Sequence, residues 1–191
     1  MTAVRRTRRG VVISFDEVEA SLLRHLVGEV RDLLTDGEQP LPPAPPPGAG
    51  LPTDDELSVL TRMSAVLADD SDTPDDPALA RLLPDAYRDD PDAAVEFRRL
   101  TESSLRRDKV AAAERLLSAL PGDGPGEVRL DPDSTEAWLA TLNDVRLALG
   151  TRLEVTEEMT EPAPDDPDAP AYVVYLWLTE LQNVLVEVAD T

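Results

Sequence analysis

Side chains that carry acid–base, nucleophilic or metal chemistry are unevenly represented in this sequence. Its 191 residues include one histidine, His25, and no cysteine. A metal site needs several ligands, and a catalytic triad needs a base with an orienting partner, so a lone histidine provides neither. Without cysteine, disulfides, thiolate metal sites and thiol redox switches are excluded in this chain. We therefore interpret His25 as a core or boundary residue, and we expect no metal and no cofactor.

Carboxylates are abundant, with 39 Asp and Glu against 18 Lys and Arg and a net charge of −21. Acid–base catalysis requires paired or desolvated carboxylates in a cleft, which abundance alone does not provide. The sequence has no phosphate-binding glycine loop, no nucleophile elbow, no dinucleotide-binding motif and no H-E-x-x-H. Residues 69–76 hold five aspartates but lack the glycine and terminal glutamate of a calcium loop. We predict that the protein is not an enzyme.

Two basic clusters are the strongest candidates for contact with a protein partner or a nucleic acid. One lies near the N-terminus and consists of Arg5, Arg6, Arg8 and Arg9. The other lies in the longest predicted helix and consists of Arg98, Arg99, Arg106, Arg107 and Lys109. DNA is disfavoured as the partner, because a surface with a net charge of −21 repels phosphates.

Each cluster has a second interpretation that stays open at this stage. The N-terminal arm, residues 1–10, is either a disordered tail or an arm that contacts phosphate. The helical cluster either pairs with the protein's own acidic side chains or contacts an acidic protein surface or phosphate.

A third polar group lies between core leucines near the end of a later helix. It consists of Asn143, Asp144 and Arg146, which fall within about one helical turn. We interpret these residues as a structural polar network that fixes helix packing, with ligand contact as the alternative.

The elements that position these residues are mostly helices. Residues 10–15 and 127–131 are rich in β-branched side chains or alternate in polarity, so they predict a two-stranded sheet. Helical periodicity or capping signals mark six segments: about 16–34, 54–67, 77–83, 91–120, 132–149 and 171–189. We predict a mainly α-helical fold, a bundle of about five to six helices with this small sheet.

Several details of the helices are predicted by local signals. Asp16 followed by Glu19 predicts a capping box, and Gly150 predicts a C-cap. Trp138 and Leu142, with Val145 and Leu149, predict the buried face of one helix. The last helix is broadly apolar, so we expect it near the middle of the bundle. Its predicted inner face consists of Val173, Trp177, Leu181, Val184 and Val188, with Val174, Leu178 and Leu185 adjacent.

The chain is predicted to form one helical domain over residues 1–191. Attached to it are the basic N-terminal arm (1–10), a Pro-rich insert (36–52) and an acidic Pro-rich loop (154–170). No apolar run approaches the ~20 residues of a membrane span. The apolar segment VVISF is too short for the core of a signal peptide. We therefore expect a cytoplasmic protein that makes no membrane contact.

Three segments together resemble one known protein family. They read DDPALARLLPDAYRDDPDAAVEFRRLTE, WLATLNDVRLALGTRL and VYLWLTELQNVLV. The family is actinomycete-specific, was formerly described as a domain of unknown function, and consists of oxidative-stress transcriptional regulators. The resemblance extends from VVISF to the last helix, and the Pro-rich and acidic loops correspond to variable inserts.

This resemblance implies a cytoplasmic regulator that acts with a sigma factor or polymerase at stress promoters. Genes of the family lie near the adaptor of the Clp protease and a sulfur-carrier cysteine-synthesis cluster. The alternative is therefore a protein–protein interaction adaptor linked to Clp proteolysis or to sulfur-carrier cysteine synthesis. A cysteine switch is not carried over, because this chain has no thiol. Neither the signal nor the oligomeric state follows from the sequence.

Overall fold

The computed structural model describes residues 2–35, 76–84, 91–122, 124–156, 162–163 and 165–190, with side chains for all of these except 91–103 and 190. The elements are β1 (Ala3–Thr7), β2 (Gly10–Phe15), α1 (Glu17–Leu34), α2 (Pro77–Leu82), α3 (Pro91–Ala119), β3 (Gly126–Leu130), α4 (Pro132–Arg152) and α5 (Ala169–Asp190). The predicted mainly α-helical class with a small sheet is confirmed. The predicted Pro-rich insert at 36–52 and the helix at 54–67 lie outside the described residues.

The sheet is antiparallel with the order β1-β2-β3, so it has three strands where two were predicted. The two predicted strands do pair, with Ile13 opposite Val128. The additional strand is formed by the N-terminal arm, and its Val4 lies opposite Ile13 from the other side. Polar side chains occupy three of the five positions of β1, which hid the alternation that identifies a strand.

β2 is the central strand, and both of its faces are covered. Successive strand residues point to opposite faces, yet Val12 and Ile13 are only 1% and 0% exposed. Ile13 belongs to the main hydrophobic core. On the other face, Val12 is flanked by Arg5 of β1 and Arg129 of β3. Both arginines bind the carboxylate of Glu127, at 3.0 and 3.2 Å, so a small charged cluster crosses this face beside Val12.

α4 is the central helix of the bundle, because it packs against the other four helices and against β2 and β3. Its predicted inner face is confirmed, since Trp138, Leu142, Val145 and Leu149 are all buried. The ring of Trp138 stacks on Phe15 of β2, with 6.1 Å between the ring centroids. This contact joins the sheet to the centre of the helical bundle.

α5 packs against α4, β1 and β2, so it lies at the side of the bundle. The prediction that it lies near the middle is wrong. Its buried side chains are Ala171, Val174, Leu178, Leu181 and Leu185. Val173, which was assigned to the inner face, is 61% exposed. Two adjacent apolar stripes run along this helix, and periodicity alone does not decide which one faces the core. None of the helices described is long and apolar enough to cross a membrane.

The N-terminal ends of the helices follow their local signals. The predicted capping box at α1 is confirmed: Asp16 accepts from the Glu19 backbone N–H, and Glu19 accepts from the Asp16 backbone N–H. That bond from the Glu19 N–H holds the pKa of Asp16 below its ordinary value. Asp131 caps α4 in a similar way by accepting from the Ser134 backbone N–H at 2.8 Å. Local sequence therefore fixes where these helices begin.

The C-terminal end of α4 differs from its prediction, because the helix continues two residues past Gly150. The Glu154 N–H donates to the Thr151 carbonyl at 3.2 Å, and the Val155 N–H donates to the Gly150 carbonyl at 2.8 Å. These two bonds form a Schellman motif, in which the residue after the C-cap usually is glycine. Here that residue is Glu154, with φ of +52°. A non-glycine side chain in the left-handed region is strained.

Replacing Glu154 with glycine is expected to stabilise the fold by about 1 kcal/mol, because glycine adopts positive φ without a Cβ clash. The measurement is the free energy of unfolding in urea for wild type, Glu154→Gly and Glu154→Ala. Glu154→Ala removes the carboxylate but keeps the Cβ, so it is expected to give no comparable gain. Equal effects of the two substitutions would contradict the assignment of strain to the backbone.

Candidate functional site

The loop between β1 and β2 presents two exposed arginines, Arg8 and Arg9, which we call the arginine loop. Thr7 Oγ1 donates to the Gly10 carbonyl at 2.9 Å and accepts from the Arg9 backbone N–H at 3.3 Å, which closes the turn. Gly10 has φ of +130°, and a Cβ there would lie 1.9 Å from the Leu130 carbonyl oxygen. Only glycine fits at this position, so the geometry of the loop is fixed by the hairpin.

The other two arginines of the N-terminal cluster have partners inside the protein. Arg5 is bound to Glu127 across the sheet. Arg6 donates from Nη1 to the carbonyls of Val188 and Ala189, both at 3.2 Å, at the C-terminal end of α5. The structure therefore divides the predicted cluster into two structural arginines and the two arginines of the loop.

Two hydrogen bonds hold the start of the chain at Thr2, just before β1. The backbone N–H of Thr2 donates to Glu19 of α1 at 2.6 Å, and its hydroxyl accepts from the indole N–H of Trp177 at 3.2 Å. With the pairing of β1 to β2, these bonds make the interpretation of the arm as a disordered tail wrong for residues 2–10. The physical reason is that the arm completes the sheet, so its backbone groups gain hydrogen-bond partners.

The basic cluster of α3 is also partly used within the protein. Arg106 Nη1 donates to the Leu34 carbonyl at the end of α1, at 3.1 Å. Arg107 is exposed. The side chains of Arg98 and Arg99 lie outside the described part of this helix, and their predicted role as contacts stays a prediction.

Lys109, predicted as a contact residue, forms an ion pair with Asp144 of α4 at 2.6 Å. The side chains of Lys109 and Asp144 are 21% and 8% exposed, so the pair lies between the packed helices α3 and α4. Burial raises the pKa of Asp144 above its ordinary value, and the Lys109 ammonium opposes this shift. Two of the three residues of the predicted polar network bond to each other: Arg146 Nη2 donates to Asn143 Oδ1 at 3.2 Å. The third, Asp144, accepts from Lys109 instead.

A buried ion pair that the sequence analysis missed joins α2 to α4. Arg152 Nη2 donates to Asp76 Oδ2 at 2.5 Å, and both side chains are at most 8% exposed. The other oxygen of Asp76 accepts from the Ala78 backbone N–H at 2.7 Å and so caps α2. The sequence Asp-Pro predicts that cap, but it contains no signal for a partner 76 residues away.

The described residues include few side chains that are arranged for acid–base catalysis or metal binding. Among the residues that the structure describes, no group of three or more His, Asp or Glu side chains is placed to hold a metal ion. His25 is half-buried, and within the described chain its Nε2 has no hydrogen-bond partner. One turn later in α1, burial raises the pKa of Glu29, while the nearby His25 lowers it.

A family model described as a domain of unknown function, DUF2017, matches residues 1–189. The chain belongs to this family. A protein of Mycobacterium tuberculosis named oxidative stress regulator AosR is 36% identical over 182 residues, which are 88% of this chain and 77% of the relative. A Mycobacterium bovis protein of the same name has the same identity and coverage. The AosR relative in Mycobacterium leprae is 38% identical with the same coverage.

These relatives confirm the family that the sequence resembles. No solved structure matches the chain. The relatives are named as regulators, so a regulatory role has support from similarity over most of the chain. Their names state no partner and no mechanism.

Replacing Lys109 with methionine is expected to cost about 3 kcal/mol at pH 7, because it leaves the Asp144 carboxylate buried without its cation. The pKa of Asp144 is already raised in the folded state, so its charged form is disfavoured there relative to the unfolded chain. Protonating Asp144 removes this penalty, and the cost of the substitution is expected to shrink as the pH falls toward about 5. The measurement is the free energy of unfolding in urea at both pH values.

The double variant Lys109→Met with Asp144→Leu serves as the control, because it removes both charges and keeps an apolar contact between α3 and α4. It is expected to recover most of the loss at pH 7. A loss that is the same at both pH values, or that persists in the double variant, would show that the unpaired carboxylate is not its cause.

Proposed function

We propose that this protein is a non-enzymatic regulator of the oxidative stress response that acts by binding a protein of the transcription machinery, a sigma factor or polymerase. The relatives that are named oxidative stress regulators support the regulatory part of this proposal. The observation that supports a protein contact is the arginine loop, a pair of exposed cations on a hairpin of a strongly acidic chain.

The arginine loop suits recognition of an acidic partner because its backbone turn is fixed before contact. Gly10 and Thr7 fix the turn, and Arg6 attaches the adjoining strand to the end of α5. No ion pair engages the side chain of Arg8 or Arg9 within the described ranges of the chain. A preformed contact loses less conformational entropy on binding than a mobile tail does. Two guanidinium groups also favour carboxylates, which they bind with planar, paired hydrogen bonds.

The acidic remainder of the molecule favours a protein partner over DNA. DNA binding normally uses about six to ten phosphate contacts and a continuous basic surface. Four of the nine predicted contact residues are engaged within the protein, which leaves at most five of them for phosphates; the four are Arg5, Arg6, Arg106 and Lys109. A net charge of −21 would repel a duplex around any small basic patch. In this proposal the protein acts on transcription through the polymerase machinery.

The experiment measures binding of the full chain to purified sigma factors and core polymerase from the source organism, by calorimetry or surface plasmon resonance. The variant Arg8→Glu with Arg9→Glu is expected to weaken binding about tenfold or more, because charge reversal replaces attraction with repulsion. Arg115→Glu is the matched control. Arg115 is an exposed arginine of α3 whose guanidinium bonds to a carbonyl of its own helix, and its reversal is expected to leave affinity unchanged.

Circular dichroism and thermal unfolding of each variant establish that the hairpin still folds. Binding that is equally strong in the loop variant would exclude the arginine loop as the contact. If no sigma factor or polymerase subunit binds, and Clp components or sulfur-transfer enzymes do, the adaptor interpretation replaces the regulator proposed here. Steeply salt-dependent binding to promoter DNA alone would contradict the protein-contact mechanism.

A further inference from the structure

We infer that a pocket between α2, α4 and α5 binds a small organic molecule through an oxyanion group, a carboxylate or a phosphate. The pocket has a volume of about 370 Å³. It uses none of the residues of the arginine loop, so the inference goes beyond the proposed partner contact. Pockets of roughly 300–1,000 Å³ with a few polar groups are the usual size for small ligands.

Two arginines of the pocket are the groups that recognise the oxyanion. Arg81 lies in the last turn of α2 and is exposed, and Arg146 lies on α4. Neither takes part in an ion pair with any described residue, although acidic residues outnumber basic ones by 39 to 18 in the chain. Guanidinium groups bind carboxylates and phosphates through paired, charge-assisted hydrogen bonds.

Arg146 has one end of its guanidinium left for contact with a ligand. Its Nη2 donates to Asn143 at 3.2 Å, and its Nε is buried, so neither of these nitrogens faces the pocket freely. Nη1 has no acceptor among the described residues and is not buried. An oxyanion in the pocket would accept a charge-assisted hydrogen bond from Nη1.

The rest of the pocket combines an apolar wall with hydroxyl groups. Leu147, Val155 and Tyr175 contribute the apolar surface, and Thr151 and Thr156 line the same pocket. Thr151 Oγ1 donates its proton to the Leu147 carbonyl, so this hydroxyl can accept a hydrogen bond from a donor on the body of the ligand and does not contact the oxyanion as a donor. The ligand suited to this lining has an oxyanion at one end and a partly apolar body.

The end of α4 shapes the pocket in a way that depends on two unusual positions. At Gly150, a Cβ would lie 3.0 Å from Cε2 of Tyr175, so glycine permits the close approach of that ring. Glu154 lines the pocket from the strained left-handed position of the Schellman motif. Its carboxylate leaves the three charged residues of the pocket with a net charge of +1, which suits a singly charged ligand group better than a highly charged one.

The experiment titrates the full chain with phenylacetate and phenyl phosphate, using benzyl alcohol as a neutral probe of similar size. Amide chemical shifts in NMR report where each probe binds. At least one of the two anions is expected to bind saturably with a Kd on the order of 0.1–1 mM, while the neutral probe binds more weakly. The shifts are expected at Gly150, Thr151 and Val155. The anion that binds with the lower Kd identifies the preferred oxyanion as a carboxylate or a phosphate.

Two variants test the arginines, Arg146→Met and Arg81→Met, and each is expected to weaken anion binding about tenfold. Arg81 is exposed, so its variant is expected to fold even if Arg146→Met does not. Arg115→Met is the matched control and is expected to bind like wild type. The inference is overturned if neither anion saturates a site, if both arginine variants bind like wild type, or if the shifts fall on the arginine loop.

Discussion

Two helices of this protein end in backbone carbonyls that accept hydrogen bonds from arginines of other elements, a third arginine binds the segment just after another helix, and these contacts join elements that are distant in the sequence. Arg106 of α3 donates to the end of α1, and Arg6 of β1 donates to the end of α5. Arg24 of α1 donates to the carbonyls of Pro121 and Gly122, just after α3. The last carbonyls of a helix have no hydrogen-bond partner within the helix and carry a partial negative charge. An arginine at that end donates hydrogen bonds to these carbonyls and supplies a compensating positive charge.

These contacts explain how so acidic a chain distributes its few cations. The last turns of α3 and α5 contain no basic residue, so their own sequences do not supply a cation at the C-terminal end. Arg24 and Arg6 supply it from distant segments, and each contact also fixes one element against another. Further cations form the ion pairs of Lys109 with Asp144 and of Arg152 with Asp76. Arg8 and Arg9 of the arginine loop, and Arg81 of the pocket, form neither an ion pair nor a side-chain hydrogen bond with any described residue.

The features that the sequence predicts correctly are those whose deciding signal is local. The capping box of Asp16 and Glu19 and the buried face of α4 around Trp138 were predicted and confirmed, because both depend on residues within a few positions. The predictions at Gly150 and Val173 are wrong because the local pattern is nearly equally compatible with two arrangements. Gly150 has the residue type of a C-cap but lies inside α4, and Val173 has the residue type of a core position but is exposed. Gly150 lies inside the helix where the ring of Tyr175 approaches it closely, and Val173 is exposed because α5 packs its other apolar stripe against α4 and the sheet.

The sequence by itself determined that the chain is mainly α-helical, that it lacks thiol chemistry, and which family it resembles. These conclusions rest on composition, on the 3.6-residue period and on recognisable segments. Only the tertiary structure decided which basic residues remain exposed and which are engaged within the protein. Arg6 and Val188, for example, lie 182 residues apart in the chain. The physical reason is that an arginine's partner is set by which segments pack together, and no local pattern encodes that pairing.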